Sequence, residues 1–260
     1  MRKLSYNLWF GKFEEKVELA EKLKESFKSA RNTSPLPFNI SDLGIKIFGK
    51  DYYKTLRKIA IQVAEEKVEK ELGSDDKYVI ALVKALEELE EVINTLKEKK
   101  EDLEIVKETE IQDEFTEVLS NLERLKGGVE NEIEAVMERI APNLAEVAGA
   151  KIGAKLIERF GSLENLAKAP ASKIQIIGAE KSLYKALARL KKGKEPKMPK
   201  HGIIFMHGFV RNLPKSKRGK MARFLAGKIS IASKIDFFRG ELEEGLYESV
   251  KNRFEELRRA

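Results

Sequence analysis

Residues 75–106, DDKYVIALVKALEELEEVINTLKEKKEDLEIV, set the architecture of the chain. Val79, Leu82, Leu86, Leu89, Ile93 and Leu96 follow one another at intervals of 3, 4, 3, 4 and 3, and Leu103 resumes the register after Lys100. This spacing draws one narrow apolar stripe along a helix, the pattern of a coiled-coil seam. A second seam runs through Val118, Leu122, Leu125, Val129, Ile133, Val136 and Ile140, with an extra step near Gly127-Gly128 that reads as a local change of supercoil phase. Between the seams, KETEIQD (107–113) offers Thr109 and Gln112 as a capping box for a new helix. Two long helices joined by a short polar break predict an antiparallel arm, and roughly 30 residues at 1.5 Å each reach about 45 Å. A lone two-helix arm buries little surface. The reading therefore favours pairing with a second copy of the chain through Val79, Leu82, Leu86, Leu89, Ile93, Leu96, Leu122, Leu125, Val129 and Ile133.

Charge divides the chain into the same regions. The formal net charge of +7 over 260 residues resolves into +4 for residues 1–74, −11 for 75–140 and +14 for 141–260. Such segregation argues against one globule with a mixed surface. There is no cysteine, which excludes a disulfide framework and thiolate chemistry. No apolar run approaches the ~18–20 residues of a membrane span, and MRKLSYNLWFGKFEE lacks the apolar core of a secretory signal. A cytoplasmic protein that does not engage membranes is the expectation.

Outward from the arm, the N-terminal region reads as a small α/β module over residues 1–50. SYNLWF suggests a strand, EEKVELAEKLKESFKSA (14–30) a helix, and SPLPFN (34–39) a loop. DYYKTLRKIAIQVAEEKVEKELG (51–73) reads as a helix ending at Gly73, and residues 51–140 group as linking helix plus arm. Beyond Pro142 the chain reads as a compact helical domain, 141–260. There Gly149, Ala150, Gly153 and Ala154 permit close helix packing, Gly161 ends a helix and Ser162 caps the next. The turn from Lys173 to Gly178 leads into a further helix, a helix-hairpin-helix-like pattern whose loops and helix N-termini suit phosphates.

The basic character concentrates further on. From Lys185 to Lys228, 14 of 44 residues are Lys or Arg and only Glu195 is acidic, whereas a solvated helix face mixes both signs. This density answers a polyanion. RGKMARFLAGKISIASKIDFF (218–238) also carries order: Met221, Leu225, Ile229 and Ala232 share one face, leaving Arg218, Lys220, Arg223 and Lys228 outside it. Both histidines, His201 and His207, lie in PKHGIIFMHG (199–208). A metal or nucleophilic site there lacks a cysteine and nearby carboxylates, so neither catalytic nor metal-binding residues are assigned.

These residues resemble a known family. GAEKSLYKAL (178–187), KMPKHGIIFMHG (197–208) and KRGKMARFLAGKISIASKIDFF (217–238) look like the Nop domain, and DYYKTLRKIA with KYVIALVKALEELEEVINTL resembles the helix and arm that precede it in archaeal Nop-family proteins. The resemblance covers about residues 50 to 240 and implies a mainly α protein: small N-terminal α/β module, long antiparallel coiled-coil hairpin, all-helical Nop domain. It implies a non-enzymatic scaffold of the box C/D RNA-guided 2′-O-methylation particle. Implied partners are the methyltransferase fibrillarin, which carries S-adenosylmethionine and sits on the N-terminal domain; box C/D guide RNA; a kink-turn-binding ribosomal-type protein; and a second copy through the coiled coil. This chain itself would need no cofactor. By motif, the RNP-facing residues are Gly178, Ala179, Glu180 and Lys181 of the GAEK turn, Tyr184 and Lys185 of the following helix, and Lys200, His201 and His207 of the loop. Arg218, Lys220, Arg223 and Lys228 of the basic helix complete the set. A neutral imidazole can stack on an unpaired base, which makes His201 or His207 an RNA contact in this reading. Relatives more often show Phe and Arg where Tyr184 and Lys185 stand, and often carry an aromatic and His-Phe-Pro-Glu sequence at the arm tip, here EKKEDLEIVKETEI. The rival reading is a helix-hairpin-helix DNA-binding or DNA-processing protein dimerised by its coil; a metal-assisted nuclease would need clustered carboxylates, and Asp236 stands alone.

Overall fold

The computed structural model describes residues 5–32, 35–107 and 110–259, the Lys70 side chain excepted. By contacts the chain divides at Gly73 into two compact units. The boundary falls there rather than at residue 50 because the helix Tyr52–Leu72 packs onto the N-terminal elements.

The first unit holds a three-stranded antiparallel sheet in the order β1 (Tyr6–Leu8), β2 (Gly11–Phe13), β3 (Val17–Leu19), followed by α1 (Leu23–Ser29), α2 (Ile40–Phe48) and α3 (Tyr52–Leu72). The expected helix over 14–30 forms only in its second half. Its first half pairs as β3, with Phe13 opposite Val17 and Lys12 opposite Glu18. Lys and Glu tolerate either conformation where solvent bathes one side, so the apolar residues and the ladder decide. Leu8, Trp9, Phe10, Tyr52, Ile59 and Val63 form the core. Trp9 stacks on Phe48 with ring centroids 5.6 Å apart and donates from Nε1 to the Tyr52 hydroxyl at 3.3 Å. Glu66 on α3 receives both Lys24 and Lys28 from α1.

The second unit begins with the arm, α4 (Asp75–Val106) and α5 (Ile111–Ile140). Ion pairs align the two helices antiparallel: Asp75 with Arg139 at 2.8 Å, Glu90 with Lys126 at 2.9 Å and Lys97 with Glu123 at 2.7 Å. Each lies at the surface, Glu90–Lys126 half-buried and the others exposed, and is worth only about 0.2–1 kcal/mol, so they tune register while apolar burial holds the pair. Thr109 lies outside the described residues; Gln112 is buried and donates from Nε2 to the Lys107 carbonyl at 3.0 Å. α5 runs unbroken through Gly127-Gly128.

The seam differs from its expected form in two ways. Val83 joins Val79, Leu86 and Ile93 in burial, and on α5 Leu119 is buried while Val118 and Leu125 are 49% and 54% exposed. The seam residues assigned to dimerisation are, in addition, spent within one chain. Val79, Leu86 and Ile133 belong to the core cluster that continues into the helical domain, Ile93 is buried, and Leu82, Leu89, Leu96, Leu122 and Val129 are half-buried. A hairpin folded on itself fills its own seam, leaving only Leu125 of that set as free surface.

The helical domain comprises α6 (Pro142–Ala148), α7 (Ala150–Phe160), α8 (Leu163–Lys168), α9 (Ala171–Ile176), α10 (Glu180–Lys191), α11 (Gly208–Arg211), α12 (Lys215–Phe238) and α13 (Leu246–Arg259), with a 3-10 turn at Ile203–Met206. Ser162 accepts from the Asn165 amide at 3.1 Å, as its capping position predicts. α12 is the central beam: α6, α8, α9 and α13 pack on it, and Met221, Leu225, Ile229 and Ala232 are fully buried. Asp236, the lone carboxylate of that beam, caps α6. It accepts from the Asn143 amide at 3.0 Å, the Asn143 side chain at 2.6 Å and the Leu144 amide at 2.8 Å. That arrangement gives Asp236 a structural task.

Candidate nucleic-acid interface

Residues 196–203 run as an irregular strap, and main-chain bonds tie it to the end of α9. Gly202 donates to the Gln175 carbonyl at 2.9 Å and Ile203 to the Ile177 carbonyl at 2.8 Å. The Gln175 side chain returns a bond from Nε2 to the Lys200 carbonyl at 2.7 Å. Gly202 permits this approach, because a Cβ there would sit 1.8 Å from the Ile177 oxygen. The GAEK turn adjoins the same strap. Gly178 has φ +85°, and a Cβ on it would meet Ile203 Cγ1 at 2.6 Å. Conformation and space both require glycine there. Glu180 accepts from the Gly178 amide at 2.7 Å, and main-chain donors hold its carboxyl below the usual range. Glu180 thus tightens the turn at the start of α10, from which Lys181, Tyr184 and Lys185 project into solvent.

Strap, α9 and the start of α12 enclose an open groove of about 740 Å³ lined by Gln175, Pro196, Lys197, Met198, Pro199, Lys200, Ser216, Gly219, Lys220 and Arg223. Four of these carry positive charge and none is acidic. Lysines without counter-charges leave their field directed at solvent, which attracts phosphate oxygens. The stem of Lys200 lies across Gly219, so a substitution there would crowd it.

The structure brings Lys200, Lys220 and Arg223 together and sets the GAEK turn beside them, but it assigns three expected contacts to other work. Arg218 donates from Nε to the Leu213 carbonyl at 2.7 Å and from a terminal nitrogen to the Arg211 carbonyl at 3.1 Å, and its guanidinium lies 5.2 Å from the Phe205 ring centre. A guanidinium so engaged closes a loop before it can meet a phosphate. His207 caps α11, its Nδ1 accepting from the Phe209 amide at 3.2 Å, and burial pushes its pKa down. Lys228 sits over the Phe224 ring at 5.6 Å and is half-buried. His201 keeps a partly open edge: it stacks on Phe205 at 4.5 Å, and burial together with Arg218 lowers its pKa, keeping the imidazole neutral near pH 7. Motif reading passed over Gln175, Lys197, Met198 and Ser216. Lys197 was visible within the basic stretch; the rest become site residues only when α9 and α12 meet the strap.

Among the described residues no three His, Asp or Glu side chains gather so as to hold a metal ion, and no helix is long and apolar enough to cross a membrane.

Residues 48–256 match the family model described as Nop, snoRNA binding domain, fibrillarin. An uncharacterized NOP5 family protein of Methanocaldococcus jannaschii is 43% identical over 145 residues, 56% of this chain and 34% of that protein. Nucleolar protein 56 of Schizosaccharomyces pombe is 43% identical over 124 residues, 48% of this chain and 24% of that one. The matched stretch thus spans about a third or less of these two relatives. A solved chain from a structure described as a fibrillarin/Nop5p complex is 56% identical with a TM-score of 0.59, covering 98% of this chain and 100% of that one.

Proposed function

Since this chain belongs to the Nop family of snoRNA-binding-domain proteins, we propose that it is a non-catalytic scaffold of a box C/D ribonucleoprotein, directing RNA 2′-O-methylation performed by a bound partner. The observation that carries the reading is the acid-free groove of Lys197, Lys200, Lys220 and Arg223 beside the GAEK turn. A cationic groove next to a rigid, neutral turn suits an RNA whose phosphates fill the groove while its protein companion meets the turn and α10. Lys181, Tyr184 and Lys185 extend that surface, and His201 offers a ring face or edge to an unpaired base. The 56% identity to a chain from a fibrillarin/Nop5p structure supports fibrillarin as a partner, and the family resemblance puts that methyltransferase on the first unit. S-adenosylmethionine would then reside on that partner. The kink-turn-binding protein and a second copy complete the proposed assembly. Because the hairpin seam is internally filled, self-association falls to outer apolar residues of the arm such as Val92, Val118 and Leu125, which are 47%, 49% and 54% exposed.

The test titrates the full chain against bare duplex DNA, bare box C/D RNA and that RNA carrying its kink-turn-binding protein, at several salt concentrations. Tightest binding to the assembled RNA–protein complex supports the scaffold. Equal affinity for bare duplex overturns it in favour of the helix-hairpin-helix reading.

A further inference from the structure

The two edges of the N-terminal sheet are treated differently. At β1 the edge is closed: the Asn7 amide donates to Asn32 Oδ1 at 2.8 Å, and Asn32 Nδ2 donates back to the Asn7 carbonyl at 2.8 Å. One side-chain amide there imitates a neighbouring strand. Among the described residues the edge at β3 has no such cover. The Ala20 amide donates to the Phe10 carbonyl at 3.0 Å, and the pairs Gly11–Leu19, Lys12–Glu18 and Phe13–Val17 set the register. In an antiparallel ladder, bonded pairs alternate with pairs whose main-chain groups point away from the partner. Bonding at Ala20 and Glu18 therefore turns the N–H and C=O of Val17 and Leu19 outward, where none has a partner among the described residues. Leu19 is 55% exposed although it shares a sheet face with the buried Leu8, and an open hollow of about 660 Å³ lies beside it.

An open edge of this kind accepts an added strand through main-chain bonds, with side-chain pockets setting the choice. In the register that pairs Val17 with Leu19, a second copy joining β3 to β3 antiparallel would set Glu18 opposite Glu18, and like charges directly opposite repel. Across one face of the existing sheet run Asn7, Lys12 and Glu18, so the residue completing the row is a cation. On the other face the new neighbours of Val17 and Leu19 are apolar. We propose that β3 is a strand-acceptor edge for an extended segment of another protein, with Lys or Arg between two apolar residues. This goes beyond the scaffold reading and depends neither on RNA binding nor on which protein supplies the strand.

The test uses the full chain with two labelled nine-residue peptides, one alternating Val and Lys, the other Val and Glu, followed by fluorescence anisotropy and amide exchange. The Val-Lys peptide should bind, the Val-Glu peptide should bind at least about tenfold more weakly, and exchange at Val17 and Leu19 should slow in the complex. Leu19→Pro deletes an outward N–H while leaving the inward ladder intact, and should weaken binding about tenfold. Glu18→Lys, an exposed change that spares the backbone, should reverse the peptide preference even if the proline variant fails to fold. No binding, equal binding of both peptides, unchanged preference in Glu18→Lys, or concentration-dependent self-pairing through this edge would overturn the proposal.

Discussion

Replacing Gly202 by Ala tests whether the strap positions the groove. A Cβ at residue 202 would lie 1.8 Å from the Ile177 oxygen and 2.7 Å from the Ile176 oxygen, whereas ordinary contact begins near 3.4 Å. Both obstacles are backbone, so no rotamer change relieves them. The strap must move by more than an ångström, and the bonds at 2.9 Å (Gly202 to Gln175) and 2.8 Å (Ile203 to Ile177) then exceed hydrogen-bonding reach. Losing two bonds at about 0.5–1.5 kcal/mol each, plus residual strain, destabilises the helical unit by about 2–4 kcal/mol. The assay is denaturant unfolding followed by far-UV circular dichroism. The single tryptophan, Trp9, lies in the first unit, so its fluorescence supplies an internal control that should not shift. Because Lys200 is carried on the same strap, the variant should also bind RNA more weakly. A loss of stability below about 0.5 kcal/mol would refute the argument that glycine is there for close approach.

Lys220→Ala and Arg223→Ala should each flatten the salt dependence of RNA binding by about 0.7–0.9 log units while leaving stability nearly unchanged. Arg218→Ala should do the reverse, costing about 1–3 kcal/mol in urea unfolding, since its donors hold two loop carbonyls. Asp236→Asn turns an acceptor of three N–H groups into one that presents an NH₂ to some of them, and thermal melts should show a loss of about 1–3 kcal/mol. His207 has its folded-state pKa pushed down by burial, so its contribution is fully present above about pH 6.5 and is lost as pH falls toward the folded value. Unfolding midpoints between about pH 5 and 7.5 should therefore drop on acidification, and His207→Asn, which keeps a capping acceptor, should flatten that slope. Leu125→Glu with Val92→Glu should abolish self-association in sedimentation without unfolding the hairpin, whereas Leu86→Glu should disrupt the fold because Leu86 is in the core.

Elements whose information is local are legible from the residues alone. Three-four spacing from Val79 to Leu96 specifies a long amphipathic helix wherever it lands, Ser162 caps its own turn, and the stripe from Met221 to Ala232 needs only an apolar neighbour. The surplus of lysine and arginine over residues 185–228 was equally visible, because net charge does not depend on folding. The use of each group depends instead on packing. Residues 14–19 carry no strong preference, and β3 forms only because β2 lies alongside. Leu119 replaces Val118 in the seam because the facing helix selects which of two adjacent apolar residues is covered. The same holds for the cations: Arg218 and Lys220 are two residues apart in one basic run, yet Arg218 meets the carbonyls of Leu213 and Arg211 while Lys220 faces an acid-free groove. A side chain's task is set by what stands within 3–5 Å of it, and for these residues those neighbours come from segments that only packing brings near.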